Sequence, residues 1–350
     1  MTYRHPHLGR AVRLMLLIVG LSVAGLQPAT AQAGQKTFCI YDPIGANGFI
    51  YQSFQDYVIQ ARSWGIKLAP QAYTDEAVAA SDFKAGKCDM VAITGIRNIH
   101  FVKFAGSLDM AGGLQTYDQE RTAIQVMSSP KAAKYMSQDG FEVAGIVPLG
   151  KAFLFARDRN TLDSLDTIAG KKIAVMSYDK QASTLANVAG ASPVGASIAS
   201  FGPMFNNGSV DLAYAPSFAY NALELYKGLG NNGGIADFVL GILSAQIVIH
   251  EDDFPSGFGQ KSRSWVFDHM FDSTLARVKR ADADIPKKYW VHISGERDTN
   301  YREMFRNTRE KLWDQNWYSH RTQHLLKKIR CDSASGLSEC SMSSEGGPVN

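Results

Sequence analysis

The chain has 350 residues, 45% of them hydrophobic and 20% charged, with 36 lysines and arginines against 33 acids. That length supports two lobes, each with its own core. Arg4, Arg10 and Arg13 fall in the first 31 residues and no acid does, so the rest of the chain balances at 33 basic and 33 acidic side chains. A neutral protein has no general electrostatic pull toward nucleic acid or anionic lipid.

Residues 1–31 read as a secretory signal peptide. The three arginines form a positive leading region, Leu14 to Leu26 is an apolar run, and Ala29-Thr30-Ala31 offers the small residues a signal peptidase needs. The run is too short for a good membrane span. No cysteine follows the cleavage site, which argues against a lipid anchor. The expectation is an exported, soluble protein starting near Gln32, with no membrane insertion after cleavage.

Export permits disulfides. The four cysteines, Cys39, Cys88, Cys331 and Cys340, allow three pairings. Cys39–Cys88 is favoured, because both open apolar strand-like runs that can be neighbours in one sheet. Cys331–Cys340 then closes a short loop in a Ser/Gly-rich tail. Neither pair has the CxxC spacing of a redox or zinc site.

In chain order, 37–42 reads as a first strand and 43–48 as a turn. A helix follows, with Ile50, Phe54, Tyr57, Ala61 and Trp64 on one face and Asn47 as its N-cap. A second strand at 66–73 belongs near an edge because of Pro70. A short helix at 75–85 leads to a third strand at 89–94. Strand–helix–strand–helix–strand is the signature of a parallel sheet covered by helices. An irregular helical stretch spans 97–140. Residues 141–157 read as strands crossing to a second lobe, and 243–250 as a strand leading back. Between them lies another α/β unit, with strands at 171–176, 193–197 and 210–215. The remainder is helical, and the Ser, Gly and Glu content after Arg330 predicts a flexible tail at 331–350.

Specific segments carry a resemblance. Leu162-Asp-Ser-Leu165 through Ile168-Ala-Gly-Lys-Lys-Ile173, Gly190-Ala-Ser-Pro-Val194 and Asn207-Gly-Ser-Val-Asp211 resemble the second lobe of periplasmic solute-binding proteins, nearest to those of TRAP (tripartite ATP-independent periplasmic) transporters. More narrowly, the chain is similar to AdeT-like solute-binding proteins that carry a label as RND efflux components. The segments Phe38–Gly48, Phe83–Asp89, Thr94–Arg97, Lys288–Trp290 and Lys328–Cys331 match that group. The resemblance implies an α/β two-lobe periplasmic-binding-protein fold (type II, Venus-flytrap) with a helical C-terminal region. Lobe 1 is placed at 32–150 plus 246–330 and lobe 2 at 151–245. It also implies a periplasmic location, a small-molecule solute and a membrane permease as partners, and no cofactor. TRAP binding proteins for organic acids usually carry an arginine two positions after the lysine of a Lys-Ile-Arg turn. Here Lys172-Ile173 is followed by Ala174, so that bidentate clamp is missing and a carboxylate ligand would need a different cation.

Ligands in open α/β sheets sit at the carboxyl ends of strands. That rule selects Asp42, Asn47, Tyr73, Thr74, Thr94 and Arg97 in the first lobe, and Phe153, Tyr178, Asp179, Tyr214 and Tyr220 in the second. The turn Gly45–Gly48 offers N–H groups at a helix start, suited to an anion, or serves the turn alone. Arg97 is the best remaining cation for an acidic ligand, or else a structural ion pair. The aromatic side chains would sandwich an apolar or ring-bearing solute, or pack in the core.

Enzyme readings fare poorly. Gly195-Ala-Ser-Ile-Ala199 lacks the last glycine of a nucleophile elbow, and no phosphate-binding or dinucleotide fingerprint is present. His320 and His324 share a helix face, but Arg321 stands where a zinc protease has its glutamate, so no metal site is assigned. The expected function is capture of a small solute between two lobes that close by hinge bending near 148–152 and 244–250. The alternative is an accessory component of an RND-type multidrug efflux system. An adaptor of that kind would show a sustained heptad hairpin, which this chain does not.

Overall fold

Short runs of β-branched and aromatic residues pair first. In the computed structural model, which describes residues 34–349, β1 (Lys36–Tyr41) lies between β2 (Leu68–Tyr73) and β3 (Met90–Thr94), all parallel. The expected signal segment 1–31 lies outside the described residues. Pro70 sits on β2, the sheet edge, where a missing N–H interrupts no outer ladder. Asp75 caps the following helix, Glu76–Lys84, by accepting from the N–H groups of Ala77 and Val78.

The pattern repeats in the second half. After the short β4 (Ser137–Gln138), residues read as separate crossing strands form one long strand, β5 (Phe141–Ala156). Next come β6 (Lys172–Met176), β7 (Ser192–Ala196), β8 (Leu212–Pro216), β9 (Gly234–Ala236), β10 (Gly241–His250) and β11 (Trp290–Val291). The main path of the sheet is β2-β1-β3-β10-β5-β8-β6-β7. β6 runs parallel to β7 and β8, whereas β5 and β10 are antiparallel to each other and to the strands they join. Two parallel α/β halves are therefore stitched together by two crossing strands. The register of β5 against β10 slips between Leu243 and Ser244, close to where the halves meet. Gly150 sits there with φ +110°, and a Cβ would crowd Val278 at 2.9 Å, so the bend requires glycine.

Two expectations need correcting. The helix after β1 is two shorter ones, Phe49–Ser53 and Gln55–Ser63, and Asn47 caps neither. It is exposed in a one-turn 3-10 helix, Gly45–Asn47, and the N-cap position falls to Gly48. The expected flexible tail is instead packed down. Glu345 and Glu339, buried or nearly so, each pair with both Arg309 and Arg330 on the helices Glu296–Asp314 and His320–Ser333. The Lys327 ammonium donates to the carbonyls of Met342, Ser344 and Gly347. Composition suggested looseness, but four charges that leave water together demand fixed partners.

The cysteines pair as favoured. Cys39–Cys88 ties β1 to the start of β3 with Cα atoms 5.9 Å apart, and Cys331–Cys340 pins the tail with Cα atoms 5.7 Å apart. Among the described residues, no helix is long and apolar enough to cross a membrane.

Candidate functional site

The carboxyl ends of β1 and β3 face those of β6 and β8 across the crossing strands, and the space between them is a cavity. Tyr41, Thr94 and Ile96 line it from the first half, Leu149 and Leu243 from the crossing strands, and Tyr178, Asp179, Phe201 and Tyr214 from the second. A deeper pocket beside the helix Lys180–Val188 shares Ile96, Asp179, Tyr214 and Leu243 with it. An outer vestibule, lined by Glu76, Arg97 and Ser177 among others, shares Tyr41, Met176, Tyr178 and Ile198.

Tyr178 stands between vestibule and inner chamber. Its hydroxyl donates to Glu76 Oε2 at 2.6 Å, and the Arg97 guanidinium lies over its ring, 3.4 Å from the centroid. Glu76 Oε1 accepts from the backbone N–H of Thr94 at 2.6 Å, and Arg97 Nε is 3.9 Å from Glu76 Oε2. Thus a side chain from one half is held by two from the other. Among the described residues, the two buried nitrogens Nε and Nη2 of Arg97 have no hydrogen-bond partner.

Two carboxylates lie deeper. Asp179 caps the helix Lys180–Val188 by accepting from the N–H of Ala182, and the Tyr214 hydroxyl donates to it at 2.6 Å. Burial outweighs those donors and pushes its carboxyl up to about 6. Asp109 accepts from the N–H and, at 2.6 Å, the hydroxyl of Ser244 on β10. Burial pushes it up to about 7. Burial and the nearby Glu76 raise Tyr178, and burial and Asp179 raise Tyr214, so both phenols stay protonated at neutral pH.

Of the residues selected from sequence, Thr94, Arg97, Tyr178, Asp179 and Tyr214 come together around this space. The others are placed elsewhere. Asp42 points back to its own loop, where its carboxylate accepts from the N–H groups of Ile44, Ile50 and Tyr51. It occupies the helix start that the glycine-rich turn seemed to offer an anion, and a Cβ on Gly48 would overlap it. Asn47 and Thr74 are exposed, outside the cavity lining. The Tyr73 hydroxyl donates to Asp82 beside the sheet edge. Phe153 packs edge-on against Trp290, and Tyr220 lies tilted against Tyr226 and Tyr289. The sequence reading missed Glu76, Asp109 and Ser244. A signal existed for Ser244, since Ser244 and Gln246 interrupt an otherwise apolar strand run.

The chain has known relatives. The family model for "Solute-binding protein AdeT 1/2" matches residues 61–345. The chain is 40% identical over 306 residues to the probable solute-binding protein AdeT1 of Acinetobacter baumannii, covering 87% of this chain and all of that one. Among solved structures, a TRAP periplasmic solute-binding protein from Desulfovibrio salexigens with bound orotic acid superposes with a TM-score of 0.71 at 13% identity, over 86% of this chain and 99% of that one. The ectoine-binding protein of the TeaABC TRAP transporter of Halomonas elongata gives 0.69 at 14% identity, over 86% and 100%. These structures share the two-lobe fold. Neither the family nor the fold supports the efflux-component alternative.

Proposed function

Since the chain belongs to the AdeT 1/2 family of solute-binding proteins, we propose that it captures a small solute in the periplasm, between its two halves, and presents it to a membrane permease of the TRAP type. The moving bodies in this reading are 32–150 with 246–330, and 151–245. They bend about the crossing strands at 148–152 and 244–250, where Gly150 and the register slip at Leu243/Ser244 sit. The reading involves binding without chemistry.

One observation carries it. The cavity is walled by strand ends of both halves, so a guest inside touches both at once and favours the closed arrangement over the open one. The Tyr178 hydroxyl bond to Glu76 adds to that preference from the rim.

Thermal melting across a panel of small metabolites tests the proposal. A true ligand stabilises the fold by about 2.7 kcal/mol at a hundredfold excess over Kd. No shift with any small molecule, together with co-purification with an efflux pump, would refute it.

A further inference from the structure

The cavity's own charges identify the class of guest, on the reading that the cleft is where solute binds. Among the described residues, the charged groups lining the inner chamber, the deeper pocket and the vestibule are Asp75, Glu76, Asp109 and Asp179 against a single cation, Arg97. Arg97 stands beside Glu76 and over Tyr178, at the vestibule and not in the inner chamber. The inner chamber itself holds one charged group, Asp179, in a wall of Ile, Leu, Met and aromatic side chains.

Asp179 is almost fully buried, and among the described residues no lysine or arginine pairs with it. Its neighbours are donors without charge: the Tyr214 hydroxyl and the N–H groups of Ala182 and Gln181. Three donors leave room on two carboxylate oxygens that together accept about four hydrogen bonds. A buried carboxylate without a counter-ion is costly, and a cation brought by a guest would offset that cost. Tyr178, Phe201 and Tyr214 line the same chamber, Phe201 set edge-on to Tyr214 with centroids 5.8 Å apart. A carboxylate guest would meet Asp179 with no compensating charge at that depth.

We propose that the inner chamber takes a mainly apolar molecule bearing one protonated amine, with the ammonium against Asp179 and the body along Ile96, Leu149, Phe201 and Leu243.

The test is calorimetric titration of the mature protein at pH 7.5 with three probes of one shape: 2-phenylethylamine, 2-phenylethanol and 3-phenylpropionate. The expected order is amine tightest, by about tenfold or more over both others, each tenfold being 1.4 kcal/mol. In Asp179→Asn that preference disappears while the alcohol binds as before. Tyr214→Phe, which keeps the ring and frees an acceptor site on Asp179, retains or raises the preference, and serves where Asp179→Asn does not fold. Phenylpropionate binding as tightly as the amine overturns the assignment of class while leaving the cleft as the binding site. An amine preference that persists in a folded Asp179→Asn protein overturns the role of Asp179. Failure of all three probes likewise overturns the class; a solute co-purified in the cleft, or a thermal shift with another small molecule, then leaves the cleft reading standing, and the absence of both removes it.

Discussion

The Tyr178 hydroxyl, carried by the half built on β6 and β8, donates to the Glu76 carboxylate of the other half at 2.6 Å. This single bond spans the mouth of the cavity, and Arg97 packs over the same ring. A hydrogen bond to a charged group contributes about 1.5–3 kcal/mol, enough to move a balanced open–closed equilibrium strongly toward closure. Tyr178→Phe should therefore weaken solute binding by about tenfold through faster release, and lower the melting temperature of the ligand-free protein by several degrees, because the same bond is made without solute. Stopped-flow release of a bound ligand checks this, and an unchanged off-rate would contradict it.

Acidity should stabilise the empty protein. The carboxyls of Asp109 and Asp179 are pushed up to about 7 and about 6 by burial, and that of Glu120, buried without a hydrogen bond, is raised well above its ordinary value. The folded state thus binds more protons than the unfolded one between roughly pH 4 and pH 7, so stability falls as pH rises through that window. His100, held below its ordinary value, works in the opposite direction. Three carboxyls outweigh it, and the ligand-free melting temperature should be several degrees higher at pH 5.5 than at pH 8. Melting curves that rise with pH over that range would contradict the burial argument.

Asp42 is a structural residue on this account. Its carboxylate serves three backbone N–H groups, so Asp42→Ala should cost about 2 kcal/mol of stability, at the upper end for a lost cap. Gly48→Ala should destabilise by a similar route, because the new Cβ would displace that carboxylate. Solute affinity per folded molecule should stay within about twofold. Chemical denaturation and titration on the same samples separate the two effects.

The C-terminal segment should be part of the fold. Glu345→Ala leaves Arg309 and Arg330 buried with a partner missing, a loss of about 3–5 kcal/mol. At this chain size that corresponds to a melting temperature lower by about 6–15 °C. A change under about 1 °C would show the tail to be loosely held.

Sequence period and turn chemistry carried the architecture far. The parallel triplet β1–β3, its restart at β6–β8, the edge placement of Pro70 and both cysteine pairs were legible because each depends on local residue pattern or neighbouring strands. The site was only half legible. Thr94, Tyr178, Asp179 and Tyr214 follow from the rule that strand ends converge. Glu76 and Asp109 do not, since their roles depend on partners more than a hundred residues away, Tyr178 and Ser244. The turn at 45–48 follows the second of its two readings, because the Asp42 carboxylate takes the N–H groups that flank it, those of Ile44, Ile50 and Tyr51. The tail misled because a Ser/Gly-rich composition hides two glutamates whose partners, Arg309 and Arg330, lie on preceding helices.

Native mass spectrometry of the gently purified mature protein, compared with an Ile198→Trp variant, tests the central claim most directly. Ile198 lines both the vestibule and the inner chamber, so an indole there should fill the space without entering either core. The account predicts a small-molecule adduct on the wild-type protein, or on protein soaked with a stabilising metabolite, and its loss from the folded variant. An adduct retained in full by Ile198→Trp would place the guest outside the cleft and contradict the account.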